Sequence, residues 1–187
     1  MSLTKLLLPT YTQMLKALSA WLAKAEAQMA EGGADALLSG ALAPDMFPLS
    51  TQIRFTCVQA QEGLFRLRGE ALPASIETLL NEGRNASEHP GSMADAQARI
   101  AETLALLDDL GPSTLDGDPE RPLAHALPNG MIFDLTAEQY ARDWALPQFY
   151  FHLMAAYSIL RSEGVELGKV DYVAHMLPYL RPGTMPA

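Results

Sequence analysis

The amino-acid sequence predicts an all-α fold: a four-helix bundle with long connections and a small β-hairpin before the fourth helix. Three observations predict it. The hydrophobic fraction, 49% of 187 residues, is weighted toward Ala, Leu and Met, side chains that lose little rotamer freedom in a helix. Apolar residues recur at helical spacing in four long segments. Each segment is followed by a glycine, Gly32, Gly69, Gly111 or Gly164, the residue that enters the left-handed cap conformation without steric cost. A chain of this length buries roughly 70% of the surface its unfolded form exposes. It reads as one domain over residues 1–187, with a loose, Pro- and Gly-rich tail from about Pro178.

The first helix is expected from about Thr10 to Glu31, with Tyr11, Met14, Leu15, Leu18, Leu22, Ala25 and Met29 on one stripe. The second begins near Pro48, whose fixed φ suits a first turn, and turns Leu49, Ile53, Cys57, Ala60 and Leu64 inward. A long connection follows, with one short helix at Ile76 to Leu80. The third helix opens on Ser92-Met93-Ala94-Asp95, a cap followed by an acid near the helix N-terminus, and buries Met93, Ala96, Ile100, Leu104 and Leu107.

Before the fourth helix, Asn129-Gly130 between short alternating flanks is a two-residue hairpin signal, and Pro128 demotes the hairpin to an edge. The fourth helix starts at the capping box Thr136-Ala137-Glu138-Gln139 and runs to about Glu163. Pro147 lies inside it, removing one backbone hydrogen bond and pressing on the carbonyl of Asp143, so a kink is expected one turn before His152.

Charge and cysteine content exclude several function classes. The net charge of −9 is concentrated between Glu70 and Glu120, where eleven acidic residues meet only Arg84 and Arg99. No cluster of Lys and Arg is available to displace phosphate counterions, which argues against nucleic acid and anionic membranes as partners. The longest apolar stretch, Ala145 to Leu160, is broken by Pro147, Gln148 and His152 and falls short of a membrane span. Cys57 is alone, so neither an intramolecular disulfide nor a Cys-based zinc site can form, which fits a reducing, cytoplasmic setting.

Bundles build sites from inward polar residues on neighbouring helices. His152, in Phe149-Tyr150-Phe151-His152-Leu153-Met154-Ala155-Ala156-Tyr157, is the first candidate. It reads as a buried histidine hydrogen-bonded to a neighbour, or alternatively as a metal ligand or general base. Gln148 precedes it by four residues and shares its helical face, while Ala156 stands where a second ligand at i+4 would be. Gln52, Thr56 and Gln59 form a polar stripe on the second helix, either site-lining or solvated. Asp45, in the apolar loop "LAPDMFPLS", is either a turn residue or a second wall of a cleft. Asp143 is exposed or site-lining depending on the Pro147 kink. Tyr150 and Tyr157 read as packing residues and His89 as solvated, and His125 and His175 stand isolated. No phosphate loop, G-x-S-x-G or H-E-x-x-H motif is present.

Three segments together, "YTQMLKALSAWLAKAE", "LAPDMFPLSTQIRF" and "ALPQFYFHLMAAYSILRSEGVELGK", resemble an uncharacterised bacterial domain-of-unknown-function family of the DinB/YfiT-like superfamily, over nearly the whole chain. The resemblance implies an up-and-down four-helix bundle and a homodimer. Better-understood superfamily members are similar to metal-dependent thiol transferases or isomerases with three histidines, one near the start of helix two and a pair on helix four. His152 matches one helix-four position. Ala156 stands at its partner's place, and no histidine lies between Asp45 and Gln52.

Two functions follow as expectations. One is a non-metal module that binds a small ligand or a second copy, with Asp45, Gln52, Gln148 and His152 as ligand-binding residues and no cofactor. The other is a zinc- or nickel-dependent thiol transferase or isomerase with a degenerate histidine site, in which His152 is the one candidate ligand. A catalytic zinc usually needs three protein ligands, and that requirement ranks the first above the second. Whether the chain is an enzyme stays open at this level.

Overall fold

A computed structural model describes residues 2–30 and 32–184. Four long helices form the bundle: α1 (Leu3–Gln28), α2 (Leu49–Arg68), α4 (Met93–Asp108) and α6 (Leu146–Ser162), with α3 (Ala74–Arg84) packed on the outside of α2. Strands β1 (Pro122–Ala126) and β2 (Ile132–Thr136) form an antiparallel hairpin. The short α5 (Ala137–Gln139) and a π-helical segment, Tyr140–Ala145, lead into α6. After α6 come α7 (Lys169–Tyr172) and a 3₁₀ turn, Ala174–Tyr179. The all-α bundle with a small hairpin before the last long helix is the architecture expected from the sequence.

Side-chain pairs give the helix directions. Tyr11 meets Phe149 and Trp21 meets Tyr157, so α1 and α6 run parallel. Gln61 bonds Thr103 and Ser50 bonds the Pro90 carbonyl, so α2 and α4 run parallel. Gln52 faces His152 while Gly63 lies against Ala145, so α2 and α6 are antiparallel. The connection carrying α3 returns the chain to the end where α2 began, and this makes α2 and α4 parallel, so the helices do not alternate strictly in the up-and-down order the family resemblance implies.

The core is aliphatic with four large fully buried aromatics, Tyr11, Trp21, Tyr140 and Phe149. Full burial of an apolar side chain of this kind stabilises by roughly 1.5–3 kcal/mol. The α1 stripe is buried as expected up to Ala25, with Met29 half-buried. α2 differs from its amphipathic reading because α6, α4 and α3 pack around it. Its polar residues Thr51, Gln52 and Thr56 are buried, not solvated.

Several boundaries differ from expectation for identifiable reasons. α1 begins at Leu3, not Thr10, with Pro9 inside it. Asp116 supplies the reason: its carboxylate accepts from Ser2 Oγ (2.6 Å) and from the Thr4 amide (2.9 Å), anchoring the start of the added segment, about two turns long, from 112 or more residues away. The expected end at Glu31 lies outside the described residues, and α1 closes at Gln28. α3 extends the expected Ile76–Leu80 to a full Ala74–Arg84, burying Ile76 and Leu79 against α2. α4 stops at Asp108, three residues before Gly111, which has no positive φ. Thr103 is buried in place of half-buried Leu104 on its inner face, because it accepts from Gln61 of α2.

The hairpin loop is longer than the two residues expected. Leu127 N–H bonds the Met131 carbonyl (2.8 Å) and Gly130 N–H bonds the Leu127 carbonyl (3.0 Å), leaving Pro128-Asn129-Gly130 as a three-residue loop with Gly130 at φ +88°. This is a turn followed by a left-handed glycine. Pro128 sits in that turn, where its fixed φ fits, and not on a strand edge.

Pro147 does not simply kink α6. The preceding residues widen into the π segment, and the Leu146 amide reaches back five residues to the Ala141 carbonyl. The wider turn takes up the carbonyl crowding that a proline imposes on an α-helix, and α6 then starts afresh with the proline in its first turn. Of the tail expected to be loose from Pro178, Pro178 and Tyr179 belong to the 3₁₀ turn, residues 180–184 are exposed, and 185–187 lie outside the described residues.

Candidate functional site

α6 carries His152 onto α2, where its Nδ1 lies 2.9 Å from Gln52 Oε1. The Gln52 amide is oriented by the other end of the same chain of bonds. Its Nε2 donates to the Phe47 carbonyl at 3.2 Å, a group that can only accept, so Oε1 is left to accept from His152 Nδ1–H. That assigns the tautomer: the proton is on Nδ1 and Nε2 holds the lone pair.

Burial holds the His152 pKa down at about 4, so the ring is neutral at pH 7. The residue is 8% exposed. Nε2 makes no hydrogen bond among the described residues, yet it is not sealed from solvent. Around it stand aromatic edges: Phe55 and Phe151 each meet the imidazole at a ring distance of 5.2 Å, and Phe47 packs on Phe55 at 5.6 Å. Phe47 and Phe151 are 46% and 60% exposed. The imidazole that carries this neutral acceptor nitrogen is thus flanked by aromatic rings, of which Phe151 is largely exposed.

The other sequence candidates are dispersed. Asp45 is exposed and makes no hydrogen bond or ion pair among the described residues. Gln148 is half-buried one turn before His152, also without a hydrogen bond among them. Asp143 is exposed and paired with Arg142 (2.7 Å), whose hydrogen bond pulls its carboxyl below the usual carboxylate range. Tyr150 packs edge-on against Phe149 and Tyr157 against Trp21, and His89 is exposed. Cys57 is buried and its thiol is pushed up to about 12, chiefly by desolvation, so it is no ready nucleophile.

Residues 3–173 match the family described as domain of unknown function (DUF1993). The chain belongs to the DUF1993 family. It is also similar to a DinB family member protein from Shewanella denitrificans known from a crystal structure, with 30% identity over 98% of this chain and 96% of that one and a TM-score of 0.73. No curated protein matches the sequence.

A metal of the kind the superfamily resemblance implies does not fit the residues of this DUF1993 chain. His152 offers only Nε2, its ring neighbours are phenylalanines, and Ala156 is fully buried where a second ligand would stand. Among the described residues no three His, Cys, Asp or Glu side chains come together in an arrangement that could hold a metal ion.

Sequence reasoning missed a second cluster of this DUF1993 protein. His125, read as isolated, is 3% exposed on the inner face of the hairpin, 4.4 Å from the Trp144 ring and 5.4 Å from Tyr140. The wider π turn presents Tyr140 and Trp144 to it together. Desolvation, then the positive charge of Arg66, pulls the His125 pKa below its ordinary value. Among the described residues neither ring nitrogen has a partner, nor do Tyr140 Oη, Trp144 Nε1 or Gln59 Oε1. The alternation Leu123, His125 on β1 was the available signal, since residues two apart share one face of a strand.

Proposed function

We propose that this DUF1993 protein is a small-molecule-binding helical bundle that works without a resident metal, with Gln52 and His152 at its recognition point. The observation that carries the reading is the Phe47–Gln52–His152 chain of hydrogen bonds, which leaves a neutral, solvent-reached Nε2 on an imidazole rimmed by aromatic side chains. Such a nitrogen accepts from a ligand N–H, O–H or S–H, and the rim takes the ligand's apolar body. Asp45 and Gln148 act at the margins of that site.

The same rim supports a homodimer: Phe151 and Met154, 60% and 37% exposed, lie on the outer face of α6. A second copy closing on it would complete the site's roof. A cytoplasmic location is part of the proposal and rests on the lone, buried Cys57. No helix among the described residues is long and apolar enough to cross a membrane.

The test begins with protein grown with zinc and nickel and purified without a tag. Metal far below stoichiometric is expected, and stoichiometric metal lost on His152→Ala would return the thiol transferase or isomerase reading. A thermal-shift screen of small phenols, thiols and amines then compares wild type with His152→Ala and Gln52→Ala. Stabilisation by a compound that both variants abolish is expected; identical responses in all three proteins would end the proposal.

A further inference from the structure

We infer a second binding site, independent of His152, in the cleft between the hairpin, α2 and α3, which takes a neutral, flat heteroaromatic molecule with a hydrogen-bond donor next to an acceptor. The cleft measures about 490 Å³, within the range of ligand pockets. Its walls are largely apolar, with Val58 of α2, Ile76 and Leu80 of α3, Pro128 of the hairpin loop and Trp144. A flat ring matches that lining.

The polar groups define the rest of the ligand. His125, Gln59 and Trp144 all line the cleft, and each carries a polar atom unpartnered among the described residues. Trp144 Nε1–H can only donate. Gln59 Oε1 can only accept, and the His125 ring offers one donor and one acceptor. A complementary ligand presents both kinds of group side by side, as the edge of an aromatic amide or lactam does.

Charge argues for a neutral ligand. Glu62 and Arg66 are already paired at 2.6 Å, and Arg84 lies 3.8 Å from Glu77. The four lining charges cancel, so neither an anion nor a cation finds an unmatched partner.

Contact requires a small movement, since the unpartnered atoms are covered by neighbouring side chains in the free protein. The hairpin is built for it. Its base is tied down by the Ala137 amide on the Arg121 carbonyl and by Arg121 Nη2 on the Arg66 and Leu67 carbonyls of α2. Its far end is held by no such bond among the described residues, and Met131 and Ile132 there are 50% and 63% exposed. A ligand entering beneath the tip rotates His125 and Gln59 into reach without disturbing the base.

The test uses three matched probes on the full chain: nicotinamide, which carries a neutral amide edge; nicotinate, its anionic counterpart; and 3-methylpyridine, which lacks the edge. The readout is the indole N–H resonance of Trp144, identified through Trp144→Phe and compared with that of core Trp21. Nicotinamide is expected to move the Trp144 resonance and leave Trp21 in place. Gln59→Leu and His125→Leu should each weaken it roughly tenfold or more, as expected when a site loses a polar group that a ligand hydrogen-bonds, while His152→Ala binds like wild type. An unmoved Trp144 resonance, equal binding of 3-methylpyridine, tighter binding of nicotinate, or undiminished binding by both folded leucine variants would each overturn the inference.

Discussion

Two histidines, His152 on α6 and His125 on β1, are both more than nine-tenths buried and both surrounded by aromatic rings. They differ in what their nitrogens meet. His152 has one nitrogen locked by Gln52 and one left to solvent, whereas His125 has neither nitrogen paired among the described residues. Burying a polar group without a partner costs about 1–3 kcal/mol, but a hydrogen-bonded one costs little. His152 is therefore part of what holds α2 and α6 in register, while His125 lowers the stability of the free protein in exchange for open hydrogen-bonding capacity.

Acid titration should give the largest effect in this comparison. The His152 pKa falls from 6.5 to about 4 on folding, so above pH 6.5 it is neutral in both states and adds no pH dependence. Between pH 6.5 and 4 the unfolded chain takes up a proton that the folded one refuses, and stability falls with pH by up to roughly 3 kcal/mol. Urea unfolding at pH 6.5 and 4.5 should lose much of its difference in His152→Leu. An unchanged difference would mean that the imidazole is solvated.

Removing Gln52 should cost more than removing His125. Gln52→Leu strands the His152 Nδ1–H and the Phe47 carbonyl, a loss of about 1–3 kcal/mol. His125→Leu replaces two unpaired nitrogens by an apolar side chain of similar size and should be neutral or stabilising. Urea midpoints for the two variants sharpen the comparison; a destabilised His125→Leu would reveal a partner for that ring.

Pro147→Ala tests the segment that brings Tyr140 and Trp144 onto His125. The proline fits its position at the start of α6, so its loss should cost about 0.4–1 kcal/mol through the unfolded chain, read as a modest fall in Tm. The smallest effect belongs to Asp45→Asn. This exposed side chain should change stability by less than about 0.5 kcal/mol, and an unchanged thermal-shift response to ligands of the His152 site would place Asp45 outside it.

Local chemistry wrote much of the fold into the sequence. The stripes Tyr11 to Ala25 and Leu49 to Leu64, the cap at Ser92, the capping box at Thr136, and the glycine after α2 at Gly69 all rest on contacts within a few residues, and all are present. Position on α6 and α2 marked His152 and Gln52 as candidates, and the structure brings these two together. Asp45 was singled out for its apolar neighbours in sequence, which say nothing about what covers it.

What the sequence left undetermined depends on residues far apart in the chain. Asp116 sets the start of α1 across more than 100 residues, and α3, α4 and α6 turn the polar stripe of α2 into buried structure. His125 acquires meaning only when the hairpin folds over Trp144 and Tyr140. Periodicity reports which face of an element is apolar; which neighbours arrive at its polar atoms, and whether any arrives at all, is decided by tertiary packing because a hydrogen bond needs its partner within about 3 Å.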